Sequence, residues 1–139
     1  MTKHPGLVIP RGAESLFHSL SDPSRLAIIA CLAHGEHCVK ELTGEVGLAQ
    51  STVSEHISCL RNCGLVVGRP QGRQMRYSLA CPEVLTLLRC AEQVLQATGY
   101  QVDDCPRYGR AARTNQGAVG AAVPEANGHA DPHGMLARR

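Results

Sequence analysis

Seven cysteines are the residues of this 139-residue chain with the clearest capacity for chemistry. Their number is odd and the sequence is not expected to carry a signal peptide. A disulfide framework of the secreted type is therefore not predicted. In a reducing compartment, thiols pack as small apolar side chains, bind soft metal ions or act as redox switches. The question that the sequence poses is which thiol has which role.

Two of these thiols have a spacing that suits metal binding. Cys59 and Cys63 lie four residues apart in a segment with helical periodicity. This spacing places both sulfurs on one helix face, about one turn apart, which fits chelation of one ion and also fits core packing. Cys105 follows the last periodic segment, where a thiol has little packing role. The cysteines on or beside helical stripes are assigned to packing: Cys31, Cys81 and Cys90.

A second feature with chemical potential is a basic stretch that contains no Asp or Glu between residues 61 and 80. Its arginines are Arg61, Arg69, Arg73 and Arg76. The formal net charge of +2 is uninformative by itself. A local basic stretch, however, is typical either of a nucleic-acid-binding surface or of a solvated loop.

The hydrophobic periodicity predicts the elements that position these residues. Helices are expected at Ala13–Leu20, from the Ser21-Asp22-Pro23 start signal to Gly35, at Val39–Val46, at Gln50–Asn62 and at 82–99. Between the last two, residues 65–67 and 74–79 read as strands joined by a turn at 70–72. The prediction is a mainly α fold with a small β-hairpin.

Composition and the positions of proline and glycine predict the domain organisation. Apolar residues make up 43% and charged residues 19%, as in an ordinary soluble domain. Residues 1–12 read as a flexible arm, 13–106 as one domain and 107–139 as a disordered tail. No apolar run is long enough to cross a membrane, so a cytoplasmic protein is expected. No nucleophile–base pair or phosphate loop is visible, so no enzyme activity is expected.

Three helices, a two-stranded ribbon and a further helix form the order of a winged helix-turn-helix. The helix Gln50–Asn62 would bury a stripe at Val53, Ile57 and Leu60 and present short polar groups suited to a major groove. The predicted DNA-contacting residues of this helix are Gln50, Ser51, Thr52, Ser54, Glu55, His56 and Arg61. Arg69, Arg73 and Arg76 of the ribbon would lie along the phosphate backbone.

Three segments carry a resemblance to a known family: residues 20–26 (LSDPSRL), 51–57 (STVSEHI) and 72–77 (GRQMRY). They resemble the signature segments of the ArsR/SmtB family, small dimeric winged-helix repressors that metals or metalloids release from DNA. The resemblance covers about residues 13–100. It implies a homodimer, expected here to bind double-stranded operator DNA with an imperfect inverted repeat. The dimer residues that it implies, in the first and last helices, are Leu16, Phe17, Leu20, Val84, Leu87, Leu88, Ala91, Val94 and Leu95.

Two inducer sites of the family have no complete counterpart in this chain. The site near the third helix needs a Cys-x-Cys pair, but Lys40 follows Cys38 where the second thiol should stand. The site on the last helix needs Asp, His and carboxylate ligands. The aligned positions are Cys81, Glu83, Val94 and Ala97, of which the last two cannot bind an ion.

A third arrangement does match. Residues 58–64 (SCLRNCG) together with Cys105 are similar to the cadmium- and lead-sensing CmtR branch of the family, in which two helix thiols and one C-terminal thiol bind the ion. The resemblance therefore implies Cys59, Cys63 and Cys105 as metal ligands. Three thiolates form a soft, low-coordinate set that suits Cd(II) or Pb(II) as inducer. Zn(II) is less favoured because it prefers four ligands.

Two alternatives remain open. As(III) also favours three thiols, so an arsenic-sensing repressor of the same fold fits the residues. A thiol-based redox or persulfide sensor would instead use two thiols within disulfide range, such as Cys38 with Cys90. The histidines of the tail, His129 and His133, are expected to be unstructured.

Overall fold

The computed structural model of the chain describes residues 6–119, with side chains as far as Thr114. In chain order its elements are α1 (Ala13–Leu20), α2 (Pro23–Leu32), α3 (Val39–Val46), α4 (Gln50–Asn62), β1 (Val66–Gln71), β2 (Gln74–Leu79), α5 (Glu83–Ala97), a 3-10 helix (Gln101–Asp104) and α6 (Arg110–Val119). The chain divides into two compact units inside α5, at residue 90. The sequence-based domain 13–106 stays a prediction. No helix within residues 6–119 is long and apolar enough to cross a membrane.

The predicted order of helices and hairpin is confirmed, with one difference in the first strand. We expected that strand at 65–67, whereas β1 continues to Gln71 and pairs antiparallel with β2 along its whole length. Pro70 lies inside this strand, opposite Met75. A proline is tolerated there because both strands of a two-stranded sheet are edges, so its missing N–H need not meet a ladder partner.

The start of α2 is fixed by one side chain. Of the predicted start signal, Asp22 supplies the cap: its Oδ1 accepts hydrogen bonds from the N–H groups of Ser24 (2.8 Å) and Arg25 (3.0 Å). Pro23 occupies the first turn, where no N–H partner is needed. Ser21 instead donates its hydroxyl to the carbonyl oxygen of His18.

The unit that ends at residue 90 has its core between the helices and the hairpin. Six side chains are almost completely buried there: Ile28, Ile29, Leu42, Val53, Ile57 and Leu60. The stripe predicted for α4 supplies three of them. Two residues that we placed at the dimer interface, Leu20 and Val84, are also part of this core, 7% and 3% exposed. Their burial within one chain leaves them little surface for a partner.

The hairpin is attached to the helical layer by backbone hydrogen bonds. The N–H of His37 donates to the carbonyl oxygen of Tyr77 at 3.0 Å, and the N–H of Tyr77 donates back to His37 at 2.8 Å. This single antiparallel bridge joins β2 to the segment before α3. The orientation of the hairpin therefore follows that of the helix-turn-helix.

The second unit begins at residue 91, and its helix α6 lies within residues 107–139, the segment predicted as a disordered tail. Residues 110–119 are helical (α6), in keeping with the helix propensity of Ala111 and Ala112. The turn before α6 closes on Gly109, whose N–H donates to the carbonyl oxygen of Cys105 at 2.8 Å. A Cβ at Gly109 would lie 2.6 Å from that same oxygen, so only glycine fits. Residues 1–5 of the predicted arm and 120–139 of the predicted tail, with their histidines, lie outside the described residues.

The cap of α2 gives a first testable prediction. Replacing Asp22 by Ala removes the acceptor of two backbone donors and should lower the free energy of unfolding by about 1 kcal/mol, measured by urea denaturation. Asp22→Asn should retain most of this stability because asparagine caps equally well. Ser21→Ala is the matched control and should cost clearly less. Equal losses for Ser21→Ala and Asp22→Ala would contradict the assignment of the cap.

Candidate functional site

The helix α4 presents one polar face to solvent. With Val53 and Ile57 buried beneath it, the side chains of Ser51, Ser54 and Glu55 are exposed. Gln50 at the first position is exposed as well, and Thr52 is half-buried. The N-terminal half of α4 thus displays the short hydrogen-bonding groups that the sequence predicted there.

His56 differs from that expectation. Its side chain is only 16% exposed, and Nε2 lies 4.0 Å from Oδ1 of Asp22 at the cap of α2. The ring is turned toward the helical layer because position 56 adjoins the buried stripe. A role for His56 in reading DNA stays a prediction that this placement does not favour.

Two arginines of the hairpin are engaged within the chain. Arg69 and Arg76 stand directly opposite each other on β1 and β2. Arg69 donates two hydrogen bonds, each 2.7 Å long, to the carboxylate of Glu36. Arg76 donates to Oε1 of Glu41 at 2.8 Å and to the main-chain oxygen of Glu36 at 2.9 Å. Two like charges in register would repel each other, and these acidic partners offset that repulsion.

The ion pairs also shift the titration of the acidic groups. Hydrogen bonding to the Arg69 guanidinium lowers the pKa of Glu36, and hydrogen bonding to Arg76 lowers the pKa of Glu41. Both carboxylates are therefore ionised near neutral pH. The sequence did not indicate these pairs, because the partners lie more than thirty residues apart along the chain.

The remaining two arginines of the basic stretch have other settings. The Arg61 guanidinium lies over the ring of Tyr77, 5.9 Å from its centroid. Arg73, in the turn between the strands, is exposed, and it forms no hydrogen bond or ion pair with any residue that the structure describes. The tip of the hairpin thus presents a guanidinium with its hydrogen-bonding capacity unused.

The hairpin and the start of α4 share one surface. A cavity of about 270 Å³ lies between them, lined by Cys38, Val39 and Lys40 from the start of α3, by Gln50 of α4, and by Gln74, Met75 and Tyr77 of β2. The polar end of α4 and the basic hairpin therefore flank the same depression. This arrangement is suited to a ligand that contacts a helix end and a strand pair together, as a DNA duplex does.

The thiols at the end of α4 are accessible. Cys59 is half-buried and Cys63 is exposed at the C-terminal cap of the helix, where its N–H donates to the carbonyl oxygen of Cys59 at 3.0 Å. In the second unit, Cys105 is half-buried. Hydrogen bonds from the backbone N–H groups of Arg107 and Tyr108 lower the pKa of the Cys105 thiol. Among the described residues, no three His, Cys, Asp or Glu side chains are grouped so as to hold an ion.

Three of the other thiols occupy distinct settings. Cys38 is buried in the core, 6% exposed. Cys81 donates to Oε2 of Glu83 at 3.1 Å. Cys90 is exposed.

Cys31 belongs to a small polar network that the sequence did not reveal. Burial raises the pKa of its thiol to about 11, and a hydrogen bond with the Glu45 carboxylate adds to the shift. Oε1 of Glu45 also lies 3.1 Å from Nε2 of His37. No motif spacing connects these three positions, so sequence inspection could not have found them. Cys31 is held as a neutral thiol.

Apolar surface remains uncovered on the first unit. Phe17 of α1 is 58% exposed. A groove of about 240 Å³, with a mostly apolar lining that includes Leu16, Leu65, Val84 and Leu87, runs between α1 and the start of α5. In the second unit, Val94 is 63% exposed and Leu95 half-buried. Of the predicted dimer residues, Phe17, Val94 and Leu95 keep surface available to a partner, and the half-buried Leu16 and Leu87 line the groove.

Comparisons with known proteins agree with this architecture. Residues 22–67 match the family model described as "Bacterial regulatory protein, arsR family". The chain is 43% identical over 82 residues to the HTH-type transcriptional regulator CmtR of Mycobacterium tuberculosis, which covers 59% of this chain and 70% of that protein. It is 34% identical over 98 residues to the "probable mercury resistance operon repressor" of Streptomyces lividans, covering 70% and 78%.

A solved structure shows the same fold. The homodimeric winged helix-turn-helix DNA-binding domain of Mb0332 from Mycobacterium bovis superposes with a TM-score of 0.53 at 27% identity, covering 66% of this chain and 90% of that one. The helix-turn-helix of α3 and α4, the hairpin as its wing and the extent of the sequence matches agree with one another. This chain belongs to the ArsR family of winged helix-turn-helix transcriptional regulators.

Proposed function

We propose that this chain is a repressor that binds operator DNA as a homodimer and releases it when a soft metal ion is bound by three cysteines. The observation that carries the DNA-binding part is the shared surface of α4 and the hairpin. Ser51, Ser54 and Glu55 are exposed on α4 above a buried apolar stripe, beside a hairpin whose tip holds Arg73. Short polar side chains there read base edges, while the guanidinium contacts phosphate.

A homodimer supplies the second reading helix. The exposed Phe17 and the apolar groove beside it are surfaces that association would cover. A dimer places two α4 helices on half-sites one helical turn of DNA apart, which predicts an inverted repeat in the operator. The homodimeric state of Mb0332 supports this assembly.

The operator itself can be found without knowing the regulated genes. Selection of bound duplexes from a random-sequence library should enrich an imperfect inverted repeat with half-site centres about 10 bp apart. Ser54→Ala should change the enriched sequence as well as the affinity, since this hydroxyl faces the groove. Enrichment of a single undivided site would contradict binding by two symmetric helices.

Arg73 gives a prediction about the backbone contact. Arg73→Ala should weaken binding to operator and random duplexes alike and reduce the slope of log affinity against log salt by about 0.9 for each phosphate that the variant no longer neutralises. Arg89→Ala, on exposed α5, removes the same charge outside the proposed interface and serves as control. Fluorescence anisotropy across a salt series measures both slopes. Identical slopes for the two variants would exclude the hairpin tip from the interface.

The effector part of the proposal rests on the donor set of Cys59, Cys63 and Cys105. The first two lie one turn apart at the accessible end of α4, and the third has a thiol whose ionisation its own backbone favours. Three thiolates fit a large, thiophilic ion such as Cd(II) or Pb(II). The mercury-resistance repressor that this chain resembles is named for another thiophilic metal. A bound ion would supply strong metal–thiolate bonds that need little further coordination.

The position of the thiols on the chain explains how occupancy would reach the DNA. Cys59 and Cys63 end the helix whose first half reads the bases, and Cys105 belongs to the second unit, of the same or the partner protomer. Joining these thiols constrains α4 relative to that unit. A dimer so constrained no longer places both reading helices in successive major grooves. A coupling free energy of about 1–3 kcal/mol weakens DNA binding roughly 5- to 150-fold.

Cysteine variants test this part. Cys105→Ser should leave operator affinity unchanged, weaken Cd(II) and Pb(II) binding and abolish metal-induced release; Cys59→Ser and Cys63→Ser should do the same. Cys90→Ser, an exposed thiol outside the set, should behave as the wild type. Ultraviolet thiolate-to-metal absorption and anisotropy of labelled operator are recorded in one titration with Cd(II), Pb(II), Zn(II), Hg(II) and As(III). Release of DNA from Cys105→Ser at wild-type metal concentrations would falsify the three-thiol site.

The same experiment separates the alternatives. Tightest coupling to As(III) would identify an arsenic sensor that uses these ligands. Release by persulfide without metal, lost in Cys38→Ser or Cys90→Ser, would identify a redox sensor. The burial of Cys38 opposes the second alternative, because attack on a persulfide donor requires an accessible thiolate.

The reactivity of the thiols provides a further prediction. Because burial and Glu45 raise the pKa of Cys31 to about 11, its alkylation by iodoacetamide should stay slow near neutral pH and rise about tenfold per pH unit up to about 11. Cys90 is the exposed comparison. Glu45→Gln should accelerate Cys31 without bringing it to the rate of Cys90, since burial remains. Mass spectrometry of peptides after timed alkylation measures each rate. Equal rates for both thiols in the wild type would contradict this assignment.

A further inference from the structure

The pair formed by Glu36 and Arg69 offsets the repulsion between Arg69 and Arg76, and its geometry and exposure indicate a second role. Its two hydrogen bonds of 2.7 Å use both carboxylate oxygens against one guanidinium, the geometry in which arginine also binds phosphate. Both side chains remain accessible, with 55% of Arg69 and 34% of Glu36 exposed. An ion pair this exposed to water contributes little to stability.

The neighbouring pair has a different character. Arg76 is only 22% exposed, and one of its two contacts is to the main-chain oxygen of Glu36. That contact, with the backbone bridge of His37 and Tyr77, keeps the hairpin attached whatever the side chain at position 36 does. Arg69 is thus the member of the cross-strand arginine pair that can change partner without loss of the fold.

We propose that the Glu36 carboxylate is an intramolecular competitor for DNA phosphate, which occupies Arg69 in the free protein and thereby limits the affinity of the wing for DNA. This inference rests on the proposed function, because it assumes that the hairpin lies along the DNA backbone. On binding, a phosphate oxygen pair takes the place of the carboxylate on the guanidinium. The freed Glu36 is left near the phosphates, where like charge opposes binding.

The competition has two measurable consequences. Breaking the arginine–carboxylate pair offsets part of the free energy of the arginine–phosphate contact. The freed carboxylate also takes up a cation of its own, which offsets part of the counterion release that drives binding. Removing the charge of Glu36 should therefore raise DNA affinity and steepen its salt dependence.

The test compares isosteric neutral variants by anisotropy with a labelled random-sequence duplex over a salt series. Glu36→Gln should bind about three- to tenfold more tightly at low salt, with a slope steeper by up to about 0.9 per protomer. Glu14→Gln is the matched control, since it makes the same charge change on exposed α1. It should produce a clearly smaller gain.

A double-mutant cycle tests the assigned partner. Arg69→Gln should cost more affinity in the Glu36→Gln background than in the wild-type chain, because only there is Arg69 free of its competitor. Amide exchange of Tyr77, whose N–H bonds to His37, verifies in each variant that the hairpin is still attached.

The outcomes separate this inference from the proposed function. A gain for Glu36→Gln no larger than for Glu14→Gln, or equal costs of Arg69→Gln in both backgrounds, overturns the competition while wild-type DNA binding stands. A wild-type chain that binds no duplex at low salt overturns the proposed function itself, and the competition with it.

Discussion

The surface shared by α4 and the hairpin depends on the two backbone hydrogen bonds between His37 and Tyr77. They are 3.0 and 2.8 Å long and are the hairpin's backbone link to the segment before α3. Around this bridge Tyr77 is buried and packs against Gly68 of the opposite strand, where a Cβ would lie 2.9 Å from the tyrosine ring. A larger residue at position 68 would push the ring away from the bridge. This bridge and this close approach act together with the contact of Arg76 to the main-chain oxygen of Glu36 and with the core packing of Val66 to place the hairpin.

The settings of the seven cysteines follow from the same packing. Cys38 is drawn into the core and Cys31 is held neutral by burial and Glu45. The thiols of the proposed donor set lie elsewhere: Cys59 is in the last turn of α4, Cys63 is its C-terminal cap, and Cys105 precedes α6. Backbone N–H groups in the turn after Cys105 favour its thiolate, and Cys63 is exposed. The position of a thiol in the fold is therefore a better guide to whether it packs or binds an ion than the number of cysteines is.

What the sequence could predict was set by local patterns. The capping signal at Asp22 and the buried stripe of α4 depend on neighbours a few residues away, and both match the structure. Long-range pairing was beyond such patterns. The pairs of Arg69 with Glu36 and Arg76 with Glu41 join residues that only the folded hairpin brings together, and no spacing rule relates them.

Two further differences have equally physical causes. The side chain of His56 points toward the helical layer because it lies beside the buried stripe of α4, whereas the sequence analysis placed it on the exposed polar face. The helix at 110–119 lies within the segment predicted as a tail, where it follows the tight turn at Gly109 and has in its first turn Ala111 and Ala112, which favour a helix. For the proposed three-thiol ligand set, the resemblance of residues 58–64 was more informative than any rule of spacing, since two thiols one turn apart fit a core equally well.

The charge balance of the chain explains why such acidic partners matter. With 14 lysines and arginines against 12 acidic residues, the protein has little net charge with which to attract DNA. Affinity must then come from local arrangement, and the acidic residues at positions 36 and 41 lie within that arrangement. A repressor that a ligand must release from DNA benefits from a moderate affinity for DNA. Typical allosteric coupling is about 1–3 kcal/mol. An inducer can therefore release the DNA only if the free energy of DNA binding exceeds the minimum needed for operator occupancy by no more than that amount. In the proposed competition, carboxylates paired with the hairpin arginines would lower DNA affinity enough for an inducer to release the complex, whereas an unopposed row of arginines would not.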